Sequence, residues 1–155
     1  MAKRPDWTAR ARSLSRKLAM QALYQWQLTG QSAAELRNQY ADEEGFGDAD
    51  ADGEYFVELL LGVTGAIESL DAELGALIDR PVAQLDPVEH AVLLIGIHEL
   101  AHRLDVPYRV VINEGVDLAR RFGATDGHKF VNAVLDRAAR RLRATEQAAA
   151  AGTRA

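Results

Sequence analysis

One segment constrains the fold more than any other: DPVEHAVLLIGIHELAHRL, residues 86–104. Asp86 followed by Pro87 is a helix start signal, with a capping carboxylate and a ring that pre-sets the first helical residue. Beyond it, at about 100° per residue, apolar side chains fall almost all round the axis. A helix apolar on every side has to be enclosed by other elements, so the rest of the chain must supply the wrapping.

The rest of the chain is also written at helical spacing. TARARSLSRKLAMQALYQWQL, Thr8 to Leu28, is rich in helix formers and stops at Gly30. QSAAELRNQYADEE follows as a more polar helix with Ser32 as its cap. GFGDADADG, Gly45 to Gly53, is a loop by composition. EYFVELLLGVTGAIESLDAELGALI makes one or two helices, with Gly62 and Gly65 marking the break. DVPYRVVINEGVDLARRFG starts at Asp105 or Val106 before Pro107, places Ile112, Val116 and Ala119 on one face, and stops at Gly123. Its VVI run resembles a strand, but its neighbours keep a period near 3.6 and make it helix. A last helix runs from Asp126, its cap, to about Arg143. Phe130, Val131, Val134, Leu135, Ala138 and Leu142 point inward, and Lys129, Asn132, Asp136, Arg140 and Arg143 form the opposite stripe. The fold class is all-α, a compact bundle of about seven helices. Residues 1–7 form a basic arm, 8–143 the helical domain, and 144–155 (ATEQAAAAGTRA) a disordered Ala-rich tail with nothing to bury.

Composition excludes several classes. At 155 residues and 48% hydrophobic, the chain is one domain with a real core and not a disordered segment. It has no cysteine, so a disulfide scaffold and a thiolate metal site are out. The basic N-terminus lacks the apolar run of a secretory signal, and no stretch reaches the length of a membrane span. A cytoplasmic location is the expectation. The net charge of -5 hides an asymmetry. Residues 1–17 hold six Lys/Arg against one acidic residue, residues 31–100 two against 16, and residues 101–155 ten against six. Such a chain can offer a polyanion its basic ends, although charged runs are as often plain solvated surface.

Three stretches are candidate sites. HELAH, His98 to His102, matches H-E-x-x-H, two histidines one helical turn apart with Glu99 as a base. A zinc hydrolase also needs a third ligand and an open position for water. Glu114, the nearest candidate, lies beyond a proline-containing turn. Otherwise both histidines simply pack on or beside the central helix. On the first helix, Arg10, Lys17, Gln21 and Tyr24 share a broad stripe, with Arg12 and Arg16 on another side. Cations beside an aromatic ring and an amide suit phosphate contacts and base recognition; the same pattern describes an ordinary amphipathic helix whose long stems cover core. The third stretch is FGATDGHKFVNAVLDRAARRLR, Phe122 to Arg143, where a helix start and a basic stripe coincide without any nucleophile or carboxylate dyad.

AMQALYQWQLTG, DVPYRVVINEGVDLARRFG and GATDGHKFVNAVLDRAAR together resemble the NusB family, over about Arg12 to Arg143. The resemblance implies two packed helical subdomains and no enzymatic activity or cofactor. It implies transcription antitermination in ribosomal RNA synthesis: binding of single-stranded boxA RNA together with the ribosomal protein NusE, within an RNA polymerase antitermination complex. It places RNA contacts at Arg12, Arg16 and Gln21, and at Asp126, Lys129 and Phe130, and partner contacts at Tyr24 and Glu89. Where the family carries a denser arginine cluster this chain has Ser13 and Leu14; Lys3, Arg4, Arg10 and Lys17 are the residues that would compensate. HELAH is no part of the family pattern. The alternatives are a small zinc hydrolase and a stand-alone helical RNA-binding module acting with an RNA-modifying partner.

Overall fold

A computed structural model describes residues 5–43 and 51–153. Among them are eight α-helices, one 3-10 turn and no strand. The helices are α1 (Pro5–Thr29), α2 (Ala33–Glu43), α3 (Gly53–Gly65), α4 (Ile67–Gly75), α5 (Pro87–His102), α6 (Tyr108–Phe122), α7 (Gly127–Leu142) and α8 (Ala144–Thr153), with the 3-10 turn at Val82–Gln84. The chain divides into two compact units, Met1–Ile67 and Glu68–Ala155. The basic arm expected over residues 1–7 is helical from Pro5, since proline is well placed at a helix start. Most of the expected loop at residues 45–53 lies outside the described residues.

In the first unit α1 ends where Gly30 takes φ +76°, a left-handed conformation that glycine adopts without steric cost. Ser32 Oγ then accepts the Glu35 N–H at 3.1 Å and caps α2. Helix α3 is pinned to α1 at its start. Ser15 is fully buried on α1, and its Oγ accepts the Asp52 N–H at 2.9 Å and donates to the Asp52 carbonyl at 2.6 Å. The Asp52 carboxylate in turn caps α3 through the Tyr55 N–H at 3.1 Å. Leu23, Leu36, Phe56, Leu59 and Leu60 are wholly buried, and Tyr40 stacks on Phe56 at 5.5 Å between centroids.

The second unit is built round α5. Its N-terminus is capped as expected, with Asp86 accepting the Val88 and Glu89 N–H groups at 2.9 and 3.2 Å. Eleven of its residues, from Glu89 to Leu100, are buried. Helices α6 and α7 pack against it and each other. The three meet at Leu135 of α7. A Cβ on Gly96 of α5 would come within 2.6 Å of one Leu135 methyl, and a Cβ on Gly115 of α6 within 2.7 Å of the other. Both glycines sit inside helices, where they cost about 0.5–1 kcal/mol relative to alanine; here that cost admits one leucine between two backbones.

Three features depart from the sequence reading. Asp126 is not a side-chain cap: its φ is +64°, and its carboxylate makes no capping bond to α7. A capping residue needs extended backbone to swing its oxygen over the first-turn N–H groups. Left-handed Asp126 instead turns its carboxylate to Lys129, 3.4 Å away. Arg143 does not belong to the exposed stripe of α7, because the helix ends at Leu142 and the change of backbone direction carries the side chain inward. It is 4% exposed and donates to the carbonyls of Glu99, Leu100, Arg103 and Val106 at 2.8–3.2 Å. These carbonyls lie at the end of α5 and in the turn beyond; those of Glu99 and Arg103 also accept the Arg103 and Val106 N–H groups at 2.9 and 3.0 Å. Finally, the tail expected to be disordered is helical from Ala144. Its Glu146 pairs with Arg143 and accepts the Tyr108 N–H at 3.1 Å. That N–H opens α6, whose own N-cap, Pro107, has no side-chain acceptor to offer.

Candidate nucleic-acid interface

On α1, Arg12 and Arg16 are one turn apart, and both lie over the ring of Tyr55 at the start of α3. Their guanidinium carbons stand 4.7 and 5.6 Å from its centroid. Such contacts hold a cation in place and keep its charge. Arg12 retains some surface, whereas Arg16 is 3% exposed. Arg16 is therefore a packed cation, and Arg12 is the one of the pair with a face to offer. Arg10 is exposed, Lys17 and Gln21 are half-buried, and Tyr24 is exposed. Tyr55 was missed in the sequence, where it reads as one more apolar position in EYFVELLL. Lys3 and Arg4 lie outside the described residues.

On α7, Lys129 is exposed and paired loosely with Asp126. Phe130 is half-buried, and the guanidinium of Arg80 lies 4.5 Å from its ring centroid. Glu89 differs from its expected place on a partner surface. It is 7% exposed, and its Oε2 accepts the Ala124 N–H at 3.1 Å. A Cβ on Gly127 would overlap that same oxygen. Glu89 thus sets a negative charge at the start of α7, which suits the helix dipole and fills the electrostatic role the sequence suggests for Asp126.

HELAH folds as a stretch of α5. His98 is 7% exposed and Glu99 1%, while His102 is exposed, and the two rings lie 5.0 Å apart. A hydrolytic base needs water beside it, and Glu99 is closed off from it. Among the described residues no group of three His, Cys, Asp or Glu side chains is placed to hold a metal ion. No described helix is long and apolar enough to cross a membrane.

Cations held on aromatic rings on a helical scaffold are a surface chemistry that nucleic-acid-binding modules use. The model of the NusB family matches residues 13–140, and the chain belongs to that family. It is 50% identical over 138 residues to the transcription antitermination protein NusB of Marinomonas sp. (strain MWYL1), covering 89% of this chain and 79% of that one. It is 51% identical over 138 residues to the NusB of Halorhodospira halophila (strain DSM 244 / SL1), covering 88% and 87%. Among solved structures, it matches one of the antitermination factors NusB and NusE in complex with double-stranded RNA. There the TM-score is 0.73 and the identity 30%, over 83% of this chain and 96% of that one.

Proposed function

We propose that this protein binds boxA RNA together with the ribosomal protein NusE and supports ribosomal RNA transcription as part of an RNA polymerase antitermination complex, in the cytoplasm. Family membership and the match to a NusB–NusE–RNA complex support the reading. The observation that carries it here is the Arg12 guanidinium, seated on Tyr55, on a helix whose other side carries exposed Arg10 and half-buried Lys17, in a chain that is acidic overall. A modest basic surface of this kind binds weakly alone and gains from a basic partner. Tyr24 is the exposed residue proposed to meet NusE. Glu89 acts there through the α6–α7 corner that it holds.

The test is a titration of boxA, as single and as double strand, with and without NusE, across salt. Binding to a single strand should weaken with salt in proportion to the phosphates neutralised, by about 0.7 in logarithmic slope for each. Arg12→Gln should lower both affinity and slope. The proposal fails if wild type with NusE binds boxA no better than an unrelated strand, or if NusE and RNA polymerase are not recovered with the protein from cells.

A further inference from the structure

Helix α8 meets the rest of the second unit through one carboxylate. The two oxygens of Glu146 divide the work: Oε1 accepts from the Arg143 guanidinium, and Oε2 accepts the Tyr108 N–H at 3.1 Å. The Arg143 side chain is 3% exposed, and Glu146 is its one ion pair among the described residues. Tyr108 opens a 15-residue helix whose N-cap, Pro107, brings no side-chain acceptor. A buried cation and a helix N-terminus thus converge on the same anion, and each by itself favours one. The acid of the neighbouring turn, Asp105, is engaged elsewhere, held at 3.0 Å by Nε and Nη2 of Arg103. Meanwhile no described side chain of α8 is buried. An isolated helix of 10 residues is marginal in water, so the docking of α8 depends on that carboxylate. The turn that carries the site also exposes apolar surface, with Leu104 71% and Val110 39% exposed on either side of Tyr108 in the chain.

We infer that Arg143 and the first N–H of α6 form a carboxylate-binding site that α8 fills with its own Glu146, and that α8 is a releasable strap whose place an acidic side chain of a protein partner takes. The donors select the ligand. Arginine carries five N–H groups, and four of those on Arg143 go to the carbonyls of Glu99, Leu100, Arg103 and Val106. One remains, and with the Tyr108 N–H it makes two donors for two oxygens. A phosphate would leave its other oxygens without a donor in a site that is mostly closed, whereas a carboxylate is satisfied. Glu146 is tethered three residues from Arg143, which gives it a high effective concentration. A competing carboxylate therefore needs a second contact, and Leu104 and Val110 supply one for an apolar residue beside the acid.

The experiment is chemical rescue in the full chain. Glu146→Ala removes the built-in ligand and should lower the melting midpoint by roughly 4–8 °C. Hydrogen exchange should show protection lost over residues 144–153 and kept over α7. Sodium formate, compared with sodium chloride at equal ionic strength, should restore the midpoint of Glu146→Ala saturably. It should do nothing for wild type, or for Glu146→Gln, whose amide still fills the gap. The second arm uses a capped glutamyl-leucine dipeptide as the probe. Glu146→Ala should bind it more tightly than wild type, by about tenfold or more, because the tethered competitor is gone. The glutaminyl counterpart should not bind, and Leu104→Ser, at an exposed position, should weaken the glutamyl probe several-fold. If formate and chloride act alike on Glu146→Ala, or if that variant melts and exchanges as wild type does, there is no carboxylate site. If formate rescues but the dipeptide binds wild type and Glu146→Ala equally, Glu146 is a fixed brace and α8 is not a strap that a partner displaces.

Discussion

Replacing Arg143 with methionine should cost far more stability than an arginine near the end of a chain suggests. The side chain is 4% exposed and satisfies carbonyls of Glu99, Leu100, Arg103 and Val106 while pairing with Glu146. Methionine fills a similar volume without leaving an unpaired cation, so the loss comes from the four carbonyl contacts, two of them at carbonyls that keep a backbone N–H, and from Glu146. Each hydrogen bond to a charged group contributes about 1.5–3 kcal/mol in isolation. They are not additive, and water enters part of the gap. A total of about 3–5 kcal/mol is the consistent figure, as for breaking a buried ion pair. For a unit the size of Glu68–Ala155, a loss of 3 kcal/mol lowers the melting midpoint by roughly 12–24 °C. Arg143→Lys keeps the charge and loses the fork, so it should fall between. The assay is thermal and urea unfolding followed by circular dichroism. A midpoint for Arg143→Met within about 4 °C of wild type would refute the reasoning, because the Leu100 and Val106 carbonyls and Glu146 would then not depend on the guanidinium.

Gly96→Ala should cost about 1–3 kcal/mol through overpacking against Leu135, and Leu135→Ala in the same chain should recover part of that loss in a double-mutant cycle by urea unfolding. Asp126→Asn should leave the melting midpoint unchanged, since asparagine tolerates a left-handed backbone as aspartate does; removing a charge beside Lys129 should tighten boxA binding at low salt by several-fold, and equal or weaker binding counts against α7 as an RNA surface. Glu89→Lys puts a cation against the start of α7 and breaks the bond to Ala124, so it should lower stability by about 2–4 kcal/mol. A Glu89→Lys protein with a wild-type melt would show that the α6–α7 corner does not depend on this carboxylate.

Local grammar made most of the helices readable. Asp86-Pro87 and Ser32 act on N–H groups two or three residues away, so sequence proximity and spatial proximity coincide. The central position of α5 followed from its apolar circumference. The misreadings have one cause: the deciding partner is far along the chain. Asp126 has the chemistry of a cap, yet the carboxylate at the start of α7 comes from Glu89 on α5. Arg143 fits the charged stripe by angle, and nothing nearby says that α7 stops one residue earlier. Helix α6 has no acceptor of its own, and the glutamate that supplies one stands 38 residues later. The candidate interface divides in the same way. The exposed cations were visible as charge, whereas Tyr55 beneath Arg12, and Arg80 over Phe130, were aromatic and basic residues with no spacing rule to join them.

The Arg143 cluster also sets an order of assembly during synthesis. The first unit ends at Ile67, and every residue it needs has been made by then. Helix α5 follows soon after, buried along most of its length, with the carbonyls at its end still without the guanidinium that later binds them. Their partner is made some forty residues later, followed by the Glu146 that completes α6. Between those moments a nascent chain carries a finished N-terminal unit and a sticky, half-built C-terminal one. Domains emerge and fold in order from the N-terminus, and incomplete apolar helices are where aggregation starts. A message truncated a few codons before Arg143 would therefore release a protein that holds most of its residues and little of its second unit. The turn from Arg143 to Glu146 acts as the clasp that closes the second unit.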